Sequence, residues 1–123
     1  MNPKYLAGLL DGEGCFRFTQ TPLVEVCGSF PEILQDIQAY YGGRLAIQMP
    51  TALSRKRMYK WTVTGPTAIR VTTDVLPYLK EKEPQARLLL KVQRYPPKSA
   101  MRAASVRELK ALKRISYQWT PTP

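Results

Sequence analysis

The chain has 123 residues, 44% of them hydrophobic, with seven Tyr, three Phe and two Trp, which suits one folded domain with a real core and excludes a disordered tail. It contains no His, which rules out His-ligated zinc, Ser-His-Asp triads and His-metal nucleases, and no apolar run approaches the roughly 18–20 residues of a membrane span. The net charge of +10 is unevenly spread: residues 1–42 hold two basic and five acidic residues, and the remaining chain holds seventeen basic and four acidic. That asymmetry fits a polyanionic partner, most simply nucleic acid, in an intracellular setting of unspecified compartment. No signal-peptide pattern opens the chain, and a membrane role is not expected. Cys15 and Cys27 fall on neighbouring expected strands and read as buried thiols, with a disulfide as the alternative.

In chain order, Asn2 can cap a helix that Pro3 starts, and the helix ends in Leu6-Ala7-Gly8-Leu9-Leu10-Asp11-Gly12-Glu13-Gly14. Ala7, Gly8 and Gly12 strip side chains from the helix, so another backbone can approach closely. Asp11 and Glu13 stand where it must end, a sensible place to hold a hard cation. Cys15–Gln20 and Leu23–Cys27 alternate apolar and polar residues around Thr21-Pro22, which predicts a hairpin. Phe16, Phe18, Val24 and Val26 would face the core, with Arg17, Thr19 and Glu25 on the other side.

Ser29 and Glu32 have the spacing of a capping box for a second helix, which carries Ile33, Leu34, Ile37 and Tyr41 and stops at Gly42-Gly43. Strands are expected over Arg44–Met49 and Arg57–Thr64, joined by a basic tip. Tyr59, Trp61 and Val63 alternate with Lys60, Thr62 and Thr64. Gly65-Pro66 opens a helix to about Leu76, and Pro84 starts another to about Tyr95. A second capping box, Ser105 with Glu108, precedes the stripe Val106, Leu109, Leu112, Ile115 and Trp119. The whole chain 1–123 reads as a single α+β domain with C-terminal helices from about residue 84.

The segment Leu6–Gly14 resembles the LAGLIDADG motif of homing endonucleases, matching at Leu6, Ala7, Gly8, Leu9, Asp11 and Gly14. The element order αββαββα also agrees with that family, whose four antiparallel strands form a saddle over DNA with helices on one face. The resemblance extends over most of residues 3–92, and one copy of the motif is present where single-chain members carry two. It implies a homodimer packed through Leu6, Ala7, Gly8, Leu9, Asp11 and Gly12, with Asp11 helping to cap the helix at the seam. Glu13 falls on the metal-binding acidic position, for Mg²⁺ with Mn²⁺ able to substitute. Lys82 falls on the position of an active-site lysine, in Leu76-Pro77-Tyr78-Leu79-Lys80-Glu81-Lys82. A solvated lysine between Glu81 and Glu83 is the plain alternative.

With neither a His nor a Cys nucleophile in view, phosphodiester cleavage points to metal-activated water, and a nearby ammonium would stabilise charge on the transferring phosphate. The outward positions Arg17, Thr19, Arg44, Gln48, Lys60 and Thr62 are candidates for reading double-stranded DNA in the major groove. Arg55, Lys56 and Arg57 suit phosphate contacts that position without specifying. One family feature is missing. A Gln or Asn that helps to place water before the second helix is replaced by Gly28 or its neighbours.

The leading expectation is therefore an intron-encoded or free-standing homing-type endonuclease that hydrolyses both strands of a long pseudo-palindromic site. The alternative is a nucleic-acid-binding protein of the same fold that cleaves weakly or not at all, such as an intron-splicing maturase or a DNA-binding regulator. Half of a heterodimer, or an engineered fragment, is a third possibility.

Overall fold

The computed structural model describes residues 1–50 and 57–113. Elements follow one another as α1 (Pro3–Glu13), β1 (Gly14–Phe18), β2 (Pro22–Gly28), α2 (Pro31–Tyr41), β3 (Arg44–Gln48), β4 (Met58–Thr64), α3 (Gly65–Val75), a 3₁₀ turn (Leu76–Tyr78), α4 (Glu83–Val92) and α5 (Ala100–Leu112). The strands form one antiparallel sheet in the order β1-β2-β4-β3. The architecture is thus the α+β arrangement that the sequence pattern predicts. No described helix is long and apolar enough to cross a membrane.

Period-two alternation sorts the sheet into two unlike faces. Phe16, Phe18, Val24, Val26, Trp61 and Val63 are buried under the helices, where Leu6 and Leu10 of α1, Leu34 and Ile37 of α2, Val71 and Val75 of α3 and Leu89 of α4 complete the core. Leu109 of α5 adds to it, whereas Ile115 and Trp119 of the expected stripe lie outside the described residues. β3 breaks the pattern: Ile47 is 58% exposed, and Met49, just past the end of the strand, is 63% exposed.

Helix starts follow local chemistry. Asn2 caps α1 by accepting from the Lys4 N–H at 2.8 Å, with Pro3 as the first helical residue. The two expected capping boxes do not form. Phe30 precedes a proline and is pushed to extended backbone (φ −112°, ψ 100°), so α2 begins at Pro31 and Ser29 lies one residue too early. Ser105 sits buried in the middle of α5, which begins six residues sooner, where Ser99 accepts from the Arg102 N–H at 3.1 Å. The Ala-rich stretch from Ala100 extends the helix towards the N-terminus.

Gly42 and Gly43 end α2 with φ of 79° and 97°. The Gly42 carbonyl accepts from the buried Trp61 indole at 2.8 Å, and a β-carbon on Gly43 would stand 2.6 Å from Val63, 2.8 Å from the Thr62 carbonyl and 2.9 Å from that indole. We expect Gly43→Ala to cost about 2–3 kcal/mol through both strain and overlap. Chemical denaturation checks this, and an unchanged midpoint would show that the corner relaxes freely.

Candidate nucleic-acid interface and catalytic site

The sheet face away from the helices is a polar concavity. Across the strands, Cys15, Glu25, Thr62 and Arg44 pair in one row, and Cys27, Lys60 and Ala46 in the next. Arg17, Arg44, Gln48, Lys60 and Thr62 line a groove of about 620 Å³ on this face. Five of the six expected base-reading residues therefore come together. Thr19 does not join them. It lies past the end of β1 and faces α5 in a smaller cleft of about 270 Å³. Arg57 is exposed immediately before β4, as a phosphate contact would be, while Arg55 and Lys56 lie outside the described residues.

Two features of this face escape a strand-by-strand reading. Glu25 pairs with both Arg17 and Lys60, so a carboxylate sits among the cations. α5 also packs against β1 and brings Lys110 and Lys113 beside Arg17 and Thr19. Partial burial holds the Lys113 ammonium below its ordinary pKa, opposed by the neighbouring Cys15 and Glu25. Helical spacing alone cannot say which strand a C-terminal helix will meet. Both cysteines are free thiols on this face, and burial, then the Glu25 charge, pushes the Cys27 thiol up. Cys27 stays protonated near neutral pH and is no nucleophile there.

The end of α1 carries the candidate chemistry. Asp11 does not point along a free surface: its carboxylate accepts from the Lys80 N–H at 2.9 Å and the Lys82 N–H at 3.0 Å. In return the Lys82 ammonium donates to the Leu10 and Asp11 carbonyls at 3.0 and 3.1 Å, a cation on the negative end of the helix. Asp11 and Lys82 thereby clamp the 80–82 segment to α1, and the plain alternative of a freely solvated Lys82 does not hold. Glu13 is left exposed two residues on, at the last position of α1, in a cavity of about 240 Å³ with Leu9, Cys27, Gly28, Ser29 and Phe30. A β-carbon on Gly28 would meet nothing within 4 Å, so the place of the missing Gln or Asn is open space. Glu25 does not line this cavity.

The expected packing stripe of α1 divides in two. Leu6 and Ala7 are fully buried in the protomer's own core, so their side chains cannot form a seam with a second copy. Leu6, Ala7 and Leu10 share the inward side of α1, as the spacings of three and four residues require, and leave the opposite side to Tyr5, Gly8 and Gly12. Gly8 and Gly12 face outward with nothing within 4 Å of a β-carbon, between half-exposed Tyr5 and partly buried Leu9. Gly14 serves the interior instead: a β-carbon there would stand 2.5 Å from Leu10 Cδ2 and 2.7 Å from its Cα.

The described residues contain no cluster of three or more His, Cys, Asp or Glu side chains able to hold a metal. Asp11 is occupied by two backbone N–H groups, so one protomer offers Glu13 alone. Mg²⁺ is commonly held by one or two carboxylates with water and phosphate oxygens, and Glu13 fits that requirement.

No family model and no curated protein sequence matches the chain. Solved structures do. The homing endonuclease I-CvuI, in complex with its target in the presence of Ca²⁺, is 22% identical with a TM-score of 0.70, over 96% of this chain and 85% of that one. The archaeal intron-encoded homing endonuclease I-Vdi141I, complexed with DNA, is 16% identical with a TM-score of 0.69, over 97% and 88%. The LAGLIDADG homing endonuclease I-SmaMI, bound to cleaved DNA, is 17% identical with a TM-score of 0.65, over 89% of this chain and 42% of its own length. A further I-CvuI structure holds uncleaved DNA in the presence of Mg²⁺. The chain has the LAGLIDADG homing endonuclease fold.

Proposed function

We propose that this protein is a homing-type DNA endonuclease that acts as a homodimer and hydrolyses both strands of a long pseudo-palindromic duplex. The observation that carries the reading is the joint placement of Glu13 and Lys82 at one end of α1, next to a concave sheet face lined by Arg17, Arg44 and Lys60. The fold neighbours, which are homing endonucleases on DNA, support it.

In this reading two copies meet through the outward side of α1, at Tyr5, Gly8, Leu9 and Gly12. Gly8 and Gly12 let the helices approach closely and bring two Glu13 carboxylates to the axis. Glu13 would hold Mg²⁺, or Mn²⁺ in its place, and that ion would supply Lewis-acid activation for hydrolysis. Asp11 holds the 80–82 segment in place. Lys82, fixed by two carbonyls, keeps its remaining N–H for a phosphate oxygen and stabilises negative charge there. The groove residues read base edges, Arg44 and Gln48 by paired hydrogen bonds, while Arg57 holds the backbone. The setting is intracellular, and the gene is intron-borne or free-standing.

Incubating the protein with duplex carrying its selected site, with Mg²⁺ and separately with Ca²⁺, tests the proposal. Cleavage of both strands with Mg²⁺ is expected. Tight, site-specific binding without cleavage in Mg²⁺ or Mn²⁺ would favour the maturase or regulator reading, which the open space at Gly28 keeps in play.

The contacts make their own prediction. Binding should fall steeply with salt, by about 0.9 in log slope per phosphate contact. Arg57→Ala should weaken all sequences alike, whereas Arg44→Ala should relax preference at one base position per half-site, a loss of about fivefold or more in discrimination. Competition binding across single-base variants separates the two. A flat salt response would remove the nucleic-acid reading.

A further inference from the structure

Glu25 is a carboxylate in the middle of a surface proposed to receive a polyanion. It faces Cys15 across β1 and Thr62 across β4, and its side chain is only 13% exposed. Both of its oxygens are engaged. One accepts from the Arg17 guanidinium, and the other lies 3.7 Å from the Lys60 ammonium. Those two cations nevertheless remain 43% and 31% exposed and still present surface to the groove. The Arg17 Nε is buried with no hydrogen-bond partner among the described residues.

For phosphate binding alone, this arrangement is self-defeating. A negative charge beside two cations cancels attraction to the backbone and shortens the list of counterions displaced. A guanidinium that reads a base edge has a different requirement, because it must be held in one plane so that its donors meet two acceptors at once. A carboxylate on one edge of the fork supplies that hold and leaves other donors free. Arg and Lys both find their best base partner in the O6 and N7 of guanine.

We propose that Glu25 is a positioning residue for base readout, holding Arg17 and Lys60 on guanine edges so that overall affinity falls and sequence discrimination rises. The inference rests on the DNA-binding reading above and adds the residue that sets its selectivity. It also predicts opposite signs for affinity and specificity, which a merely structural ion pair would not produce.

The test is Glu25→Gln, which keeps the shape and removes the charge, measured on a randomised duplex pool and on the duplex the wild type selects from it. The variant should bind random duplex at least about threefold tighter and with a salt slope steeper by about one unit, as released cations turn to phosphates. Its selected sequences should lose guanine preference at the positions faced by Arg17 and Lys60, by about fivefold or more. Glu25→Asp, which keeps the charge and shortens the reach to Arg17 and Lys60, should lose part of the same preference with the salt slope almost unchanged. It serves equally if Glu25→Gln fails to fold. Uniformly weaker binding with an unchanged sequence profile, or no change at all, overturns the role of Glu25 while leaving DNA binding intact. A wild type with no salt-dependent affinity for any duplex overturns both.

Discussion

Replacing Glu13 by Gln is expected to abolish DNA cleavage, by about a thousandfold or more, while leaving fold and duplex affinity close to wild type. The swap preserves size and removes the charge that would hold the divalent ion. Glu13 is exposed at the end of α1 and contributes nothing to the core, so little stability is at stake. Binding should survive because the groove residues lie on the strands. Cleavage assays beside gel-shift titration separate the two. A Glu13→Gln protein that still cuts would defeat the assignment. Lys82→Met offers no such clean separation, since it also removes two hydrogen bonds that join α4 to the end of α1.

The second large effect concerns association. Gly8→Leu should convert a dimer into a monomer, weakening self-association by about tenfold to a hundredfold, because a side chain there holds two close-packed helices apart. In the isolated protomer the same change meets open space and improves helix propensity by about 0.8 kcal/mol. The variant should therefore melt no lower as a monomer than the wild-type protomer while losing the dimer in sedimentation. If it sediments as the wild-type dimer does, the outward side of α1 is not the interface. A wild type that stays monomeric on DNA at high concentration would remove the homodimer altogether.

Much of this was legible along the chain because its signals are local. Asn2-Pro3 fixes the start of α1, Gly42-Gly43 ends α2, and alternation on β1, β2 and β4 separates Phe16, Val24 and Trp61 from Arg17, Glu25 and Lys60. The failures have physical causes. The Ser29 box yields to the rule that the residue before a proline stays extended, and the Ser105 box yields to helix formers upstream. The α1 stripe looked uniform because small residues occur on both of its sides, and only the packed core shows that Leu6 and Ala7 face inward. The Asp11 clamp and the arrival of Lys113 at β1 join residues roughly seventy and a hundred positions apart, which no local pattern encodes.

Gly14 carries one consequence for how such a protein can change. α1 ends at Glu13 and β1 begins at Gly14, with no loop between them. The carboxylate proposed to cut and the first strand proposed to read are therefore separated by a single peptide, whose tight packing on Leu10 admits no side chain. Substitutions along the sheet can alter which bases are preferred, but they cannot slide the scissile position relative to them. A lineage with this architecture would drift in the letters it recognises and keep a constant offset between recognition and incision.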